Sequence, residues 1–300
     1  MKNKQILLVG NGINRIDNDY AWEDLMQDLL DFTGLKDAIT FDEKPFPLLY
    51  EEIFLRWAER VRARELSLKK KIRELLRKIQ GNDLHRQIME LPVDEILTTN
   101  YDYNLEASQP GGLDAAPYIR PIKGSKYSLL RRRRTRDKIV WHIHGEIRAP
   151  GSILLGYEQY AGYLQTIRNY VISGIRYKDL TMTPLNQRIR KEEPSIQAWI
   201  DHFFFSDVYI IGLSLDFVEM HLWWILDFRA RLYHNSEVKV QNRIYFIYPA
   251  QDTAWIKPRI DLLCACEVSC IAVPVVRGDW AGMYEQVLAY VKNMTEKNGG

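Results

Sequence analysis

The sequence predicts an α/β fold, a mostly parallel sheet carrying helical insertions. Three observations lead to it. Short, continuous apolar runs recur along the 300 residues and stop abruptly at glycine or asparagine. Runs without polar alternation suit strands buried on both faces, as parallel strands are. Segments with apolar residues three and four apart lie between those runs, where crossover helices are required.

The first run, Gln5–Val9, is closed by Gly10-Asn11-Gly12-Ile13-Asn14-Arg15. A helix is expected over Trp22–Leu30, so strand, glycine turn and helix read as the opening unit of a nucleotide-binding sheet. Gly10 permits the tight turn, and Gly12 lets backbone approach a pyrophosphate. Arg15 stands where a dinucleotide fingerprint has its third glycine. No acidic residue closes a second strand about twenty residues on, so a dehydrogenase-type site is not expected.

From Pro45 to Leu91 the pattern is helical and strongly charged, the first of two insertions (about 45–91 and 157–200) within one domain spanning 1–300. Leu48 to Ala58 marks one helix. Leu66 to Ile79 marks another, ended by Gly81-Asn82. The basic face of Arg56 to Lys78 is expected to be solvated surface rather than a nucleic-acid groove. Pro92–Thr99 is the second strand, and it stops at Asn100, with a helix starting about two residues later. Asn100 and Asp102 therefore sit at a strand's carboxyl end, where open α/β sheets hold ligands.

Arg131–Arg136 concentrates positive charge and reads as a solvated loop, with binding to phosphates or to an acidic partner as alternatives. No aromatic ladder accompanies it, which argues against single-stranded nucleic acid. Ile139–Ile147 is the third strand. Alternation puts His142 and His144 on one of its faces and Trp141 and Ile143 on the other. No third ligand is identifiable near the two histidines, so no metal is expected. A strand histidine is more often a hydrogen-bonded core residue; what favours a reactive His144 is its position just before a glycine at the strand end. Tyr157–Ile200 reads as mostly helical, broken by Pro184 and Pro194. Phe203–Ile211 is a strand running into Gly212-Leu213-Ser214, then a helix over Val218–Arg231. Further strands are expected at Arg243–Tyr248 and Ala265–Val275, a closing helix at Trp280–Lys292, and a frayed tail from Asn293 to Gly300.

Composition excludes some classes. The chain is 46% hydrophobic and 27% charged with a net charge of +2, so its overall field selects no polyanionic partner. No stretch approaches the roughly 18 apolar residues of a membrane span. The basic start Met1-Lys2-Asn3-Lys4 precedes too short an apolar run, without a small-residue cleavage site, to be a signal peptide. Cys264, Cys266 and Cys270 are odd in number and close together, so no disulfide framework is expected and a reducing cytoplasm is the simplest setting.

Four corners now stand in order: Gly-Asn-Gly-Ile-Asn (10–14), Thr-Thr-Asn-Tyr-Asp (98–102), Ile-His-Gly (143–145) and Gly-Leu-Ser (212–214). This succession, over roughly residues 5 to 292, resembles the Sir2 (sirtuin) superfamily, and within it the bacterial Sir2-like proteins of anti-phage defence. The resemblance implies a Rossmann-like NAD-binding sheet. It implies that Gly10, Gly12, Ile13 and Asn14 form the first NAD loop, with Gly212 and Ser214 near the adenosine half. It further implies that Asn100 and Asp102 flank the nicotinamide ribose and that His144 is the catalytic base. The family's deacylases carry two Cys-x-x-Cys zinc pairs and a Gly-Ile-Pro-Asp-Phe-Arg loop, and both are absent here. The expectation is therefore NAD+ hydrolysis to nicotinamide and ADP-ribose without a metal, depleting NAD as the effector of an abortive-infection system. Asp102 would orient Asn100 or support the positive sugar. Control would come from oligomerisation or a partner. A small Sir2-like subunit is similar to the KongMing-type effector, which pairs with a Ham1-like nucleotide-binding protein; a HerA-like ATPase or a short Argonaute are other partners of such domains. The alternative reading is a module that binds NAD or an ADP-ribose derivative without turning it over.

Overall fold

The computed structural model describes residues 3–18, 20–41, 43–119, 126–177, 180–235 and 240–299. Met1, Lys2 and Gly300, on which two of the expectations above partly rest, lie outside that set. In chain order the strands are β1 (Lys4–Val9), β2 (Glu95–Thr98), β3 (Arg132–Arg134), β4 (Ile139–His142), β5 (Ile175–Tyr177), β6 (Leu180–Met182), β7 (Ser206–Ile211), β8 (Ile244–Pro249) and β9 (Val268–Val273). The helices are α1 (Trp22–Thr33), α2 (Phe46–Val61), α3 (Glu65–Leu76), α4 (Asp83–Glu90), α5 (Asn104–Ala107), α6 (Tyr157–Ser173), α7 (Leu185–Arg190), α8 (His202–Phe205), α9 (Met220–Tyr233), α10 (Lys257–Ala265) and α11 (Trp280–Gly299).

The main sheet runs β3-β4-β2-β1-β7-β8-β9, with β3 antiparallel to β4 and every other pairing parallel. Counted among themselves, the parallel strands lie in the order 3-2-1-4-5-6, so the winding reverses between β1 and β7. This is the Rossmann-like arrangement, and ligands in such sheets sit at the carboxyl ends beside the reversal. Apolar runs without alternation follow from it. Ile6 and Leu8 of β1 pack on one face with Trp141, Ile210 and Phe246. Leu7 and Val9 pack on the other with Val140, Tyr209 and Val287. A third apolar cluster joins α1, α2 and α3 to Tyr101, Tyr103 and Ile153, and so roofs the carboxyl end of β2.

Several expected boundaries move. β4 ends at His142, and Ile143–Ile147 form turns. Those turns take their hydrogen bonds elsewhere: Ile147 N–H donates to Tyr101 O and Leu154 N–H to His144 O. Within 157–200 the β5–β6 hairpin appears where helix was expected, bounded by Gly174 at φ +69°. The expected strand from Phe203 begins as the helical turn α8, and α10 occupies a segment left unassigned from the sequence. The tail expected to fray continues α11 to Gly299, with Val291 fully buried and Thr295 nearly so.

Two readings of basic residues are also corrected. Arg131–Arg136 is not a solvated loop: Arg131, Arg133 and Thr135 are buried and Arg134 and Arg136 exposed, the period-two signature of a strand. Arg131 Nη1 meets Glu146 Oε1 at 2.9 Å, and Arg133 Nε lies 3.6 Å from Oε2. Tyr103 OH donates to the same carboxylate at 3.0 Å, and Tyr118 OH also bonds to it. Arg132 stacks over Trp141 at 4.3 Å. On the supposedly solvated face of α3, Lys69 is buried and donates to Ile153 O at 2.8 Å, and burial lowers its amine to about 8. Among the described residues no helix is long and apolar enough to cross a membrane, and the three cysteines are free thiols.

Candidate functional site

The β1 and β7 turns meet at the reversal. Gly10 N–H donates to Ile211 O at 2.9 Å and Gly12 N–H to Gly212 O at 2.8 Å. A side chain at Gly10 would meet Gly212 O at 2.4 Å, and one at Gly12 would meet the Tyr284 hydroxyl at 2.4 Å. Packing against the β7 turn thus demands glycine at position 10 before any ligand is considered, and at position 12 a side chain would have to displace the Tyr284 hydroxyl of α11. Asn11–Ile16 then form a 3-10 turn that carries Ile13 and Asn14 inward, both buried.

Asn14 is the hub of a polar cluster. Its Nδ2 donates to Asn11 Oδ1 at 2.9 Å and to Asp102 Oδ2 at 2.8 Å. Its Oδ1 accepts from Asn104 Nδ2 at 3.1 Å and pairs with His85 Nε2 at 2.9 Å. Asn82 N–H donates to His85 Nδ1 at 3.0 Å, and the Asn82 side-chain oxygen lies 2.8 Å from the same nitrogen. Asp102 Oδ1 accepts from Asn104 N–H at 3.0 Å and so starts α5. Asp102 therefore orients Asn14 and α5, not Asn100 as expected. The side chain of Asn100 instead donates from Nδ2 to Gly10 O at 3.3 Å, while Thr98 Oγ1 accepts its backbone N–H at 3.0 Å. A shallow depression lies against this corner, lined by Asn11, Thr99, Asn100 and Asp102 together with Tyr20, Trp22 and Ile79.

The two histidines do not act as a pair. His142 Nε2 lies 2.7 Å from Glu106 Oε1, and its Nδ1 is 3.3 Å from Asn100 O. Burial alone would lower the His142 pKa, but Glu106 outweighs it and raises it above the ordinary value. His144 lies in another environment, with its Nε2 2.8 Å from His221 Nε2 and 3.4 Å from Glu219 Oε2. Burial drives His144 down to about 3 and His221 well below the ordinary range, while it pushes Glu219 up to about 8, with Asp216 adding to that. Near neutral pH this cluster is uncharged. His144 is not part of the depression wall, although Tyr101, which lines it, senses Glu219. Ser214 is exposed, and its carbonyl accepts from Arg259 Nη1 at 2.9 Å.

The structure thus brings Gly10, Gly12, Ile13, Asn14, Asn100, Asp102 and Gly212 to one corner and places His144 behind it. Sequence reasoning missed His85, Asn104, Glu106, Glu219 and His221. Only Glu106 carried a signal, as the acid that closes the Asn-Tyr-Asp stretch.

The uncharged cluster predicts a pH signature. Between pH 4.5 and about 8 the unfolded chain ionises Glu219 while the folded chain keeps the proton, so stability falls as pH rises through that window. Between about pH 3 and 6.5 the unfolded chain protonates His144 and the folded chain does not, so stability falls as pH drops there. Glu219→Gln removes only the first slope. Urea midpoints should fall less for this variant than for the parent as pH approaches 8, and equal slopes would refute the assignment.

Residues 94–216 match the model of the SIR2-like domain. A stretch of 81 residues is 36% identical to the NAD(+) hydrolase ThsA of Cytobacillus dafuensis, covering 27% of this chain and 16% of that protein. The chain therefore aligns with only a small part of that relative's length.

Proposed function

We propose that this chain, which carries a SIR2-like domain over residues 94–216, hydrolyses NAD+ at the nicotinamide–ribose bond. The observation that carries the reading is the corner itself. Asn100 and Asp102, both inside the matched segment, line a shallow depression at the carboxyl ends of β1 and β2 in a Rossmann-like sheet. The similarity to an NAD(+) hydrolase supports the same chemistry.

In that reaction the glycosidic electron pair leaves with nicotinamide, water adds to the sugar carbon, and the water's proton passes to a base. The Asn100 amide, tied to Gly10 O, keeps Oδ1 as an acceptor for the water or a ribose hydroxyl, which is a positioning role. The Asp102 carboxylate supports the positive sugar electrostatically, and its bond to Asn14 holds it there. His144 is the base; burial holds it neutral but weakly basic in the resting structure, at about 3, so it serves only once released toward its ordinary value. Gly10, Gly12, Ile13, Gly212 and Ser214 shape the nucleotide-binding side of the corner.

His144 is buried and bonded to His221, which favours a second reading: a module that binds NAD or an ADP-ribose derivative without cleaving it. The two readings are reconciled by gating. Turnover requires the 212–220 segment to shift and release His144, and a partner protein or oligomerisation supplies that shift. On this reading the chain depletes NAD as the effector of an anti-phage abortive-infection system. A Ham1-like nucleotide-binding protein, a HerA-like ATPase and a short Argonaute are the partner classes to try first.

Nicotinamide release from NAD+ by the purified chain, with and without the proteins encoded beside it, tests the proposal. Asn100→Ala should lower release by about 100-fold at saturating NAD+ with the fold intact. NAD+ that binds but stays whole under every condition would leave the binding module as the function.

A further inference from the structure

We propose that His144, His221 and Glu219 form a binding site for a divalent transition metal of the zinc class. One donor atom from each of the three lies within 4.8 Å of the others. All three residues are buried, and among the described residues Glu219 Oε2 and His221 Nδ1 have no hydrogen-bond partner. Buried polar atoms without partners are rare, because each forfeits its hydration without recompense. A cation seated among the three would satisfy the carboxylate and replace the Nε2–Nε2 hydrogen bond, taking both Nε2 lone pairs once the proton of that bond moves to Nδ1 of the donor ring.

The donor chemistry selects the ion. Two imidazole nitrogens and one carboxylate oxygen make a three-ligand set that zinc completes with one further molecule. Imidazole donors favour zinc, cobalt or nickel over magnesium and calcium, which prefer all-oxygen shells. Donors of a tetrahedral zinc lie about 3.3 Å apart. His144 Nε2 and Glu219 Oε2 already stand at 3.4 Å, while the two histidine Nε2 atoms, at 2.8 Å, would open slightly. Tyr160 stacks on His221 at 5.5 Å and meets His144 edge-on at 5.8 Å, so the rings are held in place by an apolar wall. On binding, the metal replaces the Glu219 proton, which leaves to solvent. The site would also clip the turn after β4 to the start of α9, the two segments that must separate for His144 to act.

One consequence rests on the NAD+ hydrolysis reading: a metal on Nε2 occupies the lone pair His144 needs as a base, so zinc inhibits. The test uses the full chain stripped by chelator, with zinc by equilibrium dialysis and the visible d–d bands of cobalt(II). Three variants accompany it: Glu219→Gln, which keeps the shape of the resting neutral acid, His221→Asn, and a Cys264→Ser/Cys266→Ser/Cys270→Ser triple that removes the other soft donors. The expected result is one zinc per chain and tetrahedral cobalt bands in the parent and the serine triple. Affinity should be weaker by about tenfold or more in Glu219→Gln and His221→Asn. No binding by the parent, binding lost in the serine triple, or binding unchanged in both ligand variants would overturn the site. Zinc should in addition stop nicotinamide release, with chelator restoring it. A chain that binds zinc through these ligands yet never releases nicotinamide would overturn the hydrolase reading and leave the metal site standing.

Discussion

Glu146→Ala should destabilise the fold more than any other single change at this end of the sheet. Its carboxylate is fully buried and faces the guanidinium groups of Arg131 and Arg133. Burial pushes the Glu146 carboxyl up, but His142, Arg131, Tyr118 and Arg133 together outweigh it and hold it below the ordinary value. Removing the carboxylate leaves two buried cations without their shared anion. Breaking a buried pair from one side costs about 3–5 kcal/mol, because the remaining charge cannot regain water. The urea midpoint should drop accordingly, and Tm should fall by roughly 10 °C. Replacing Arg134 or Arg136, both exposed, should change stability by no more than about 0.5 kcal/mol. A Glu146→Ala chain as stable as its parent would show that β3 is not held by this carboxylate.

His144→Ala should lower nicotinamide release by about 100- to 10,000-fold, the range of a lost general base. The pH profile separates this role from a packing role. A base must be neutral to act, so the rate falls as pH drops through its pKa. In the buried setting described above His144 stays neutral down to about pH 3, and the acid limb would lie near that value. Release into water moves the limb up toward the ordinary histidine value of 6.5. The gated enzyme should therefore show an acid limb near pH 6.5 once its activator is added. A rate that ignores His144→Ala, or a limb that persists unchanged in that variant, would remove His144 from the mechanism.

The sequence by itself determined the frame. The apolar stretches within Gln5–Val9, Pro92–Thr99 and Phe203–Ile211 marked buried strands, the last starting three residues later than expected, and the glycine and asparagine stops after them marked the carboxyl-end corner. These are local properties of composition and backbone freedom, so they survive without knowledge of neighbours. The expected helices of 45–91 followed from apolar spacing in the same way. Tertiary structure alone decided everything that depends on a distant partner. Arg131–Arg136 reads as solvated until Glu146 and the tyrosines beside it supply the counter-charge that lets alternate arginines turn inward. Lys69 reads as surface until Ile153 offers a carbonyl. The β4 strand reads on to Ile147 until Tyr101 and Leu154 take the hydrogen bonds of the turns that replace it. His142 and His144 look equivalent in the chain, two residues apart on one expected face. Glu106 makes one of them favour its charged form, and burial keeps the other neutral. A side chain's charge state is set by what is packed against it, and packing between residues far apart in the chain has no local signature.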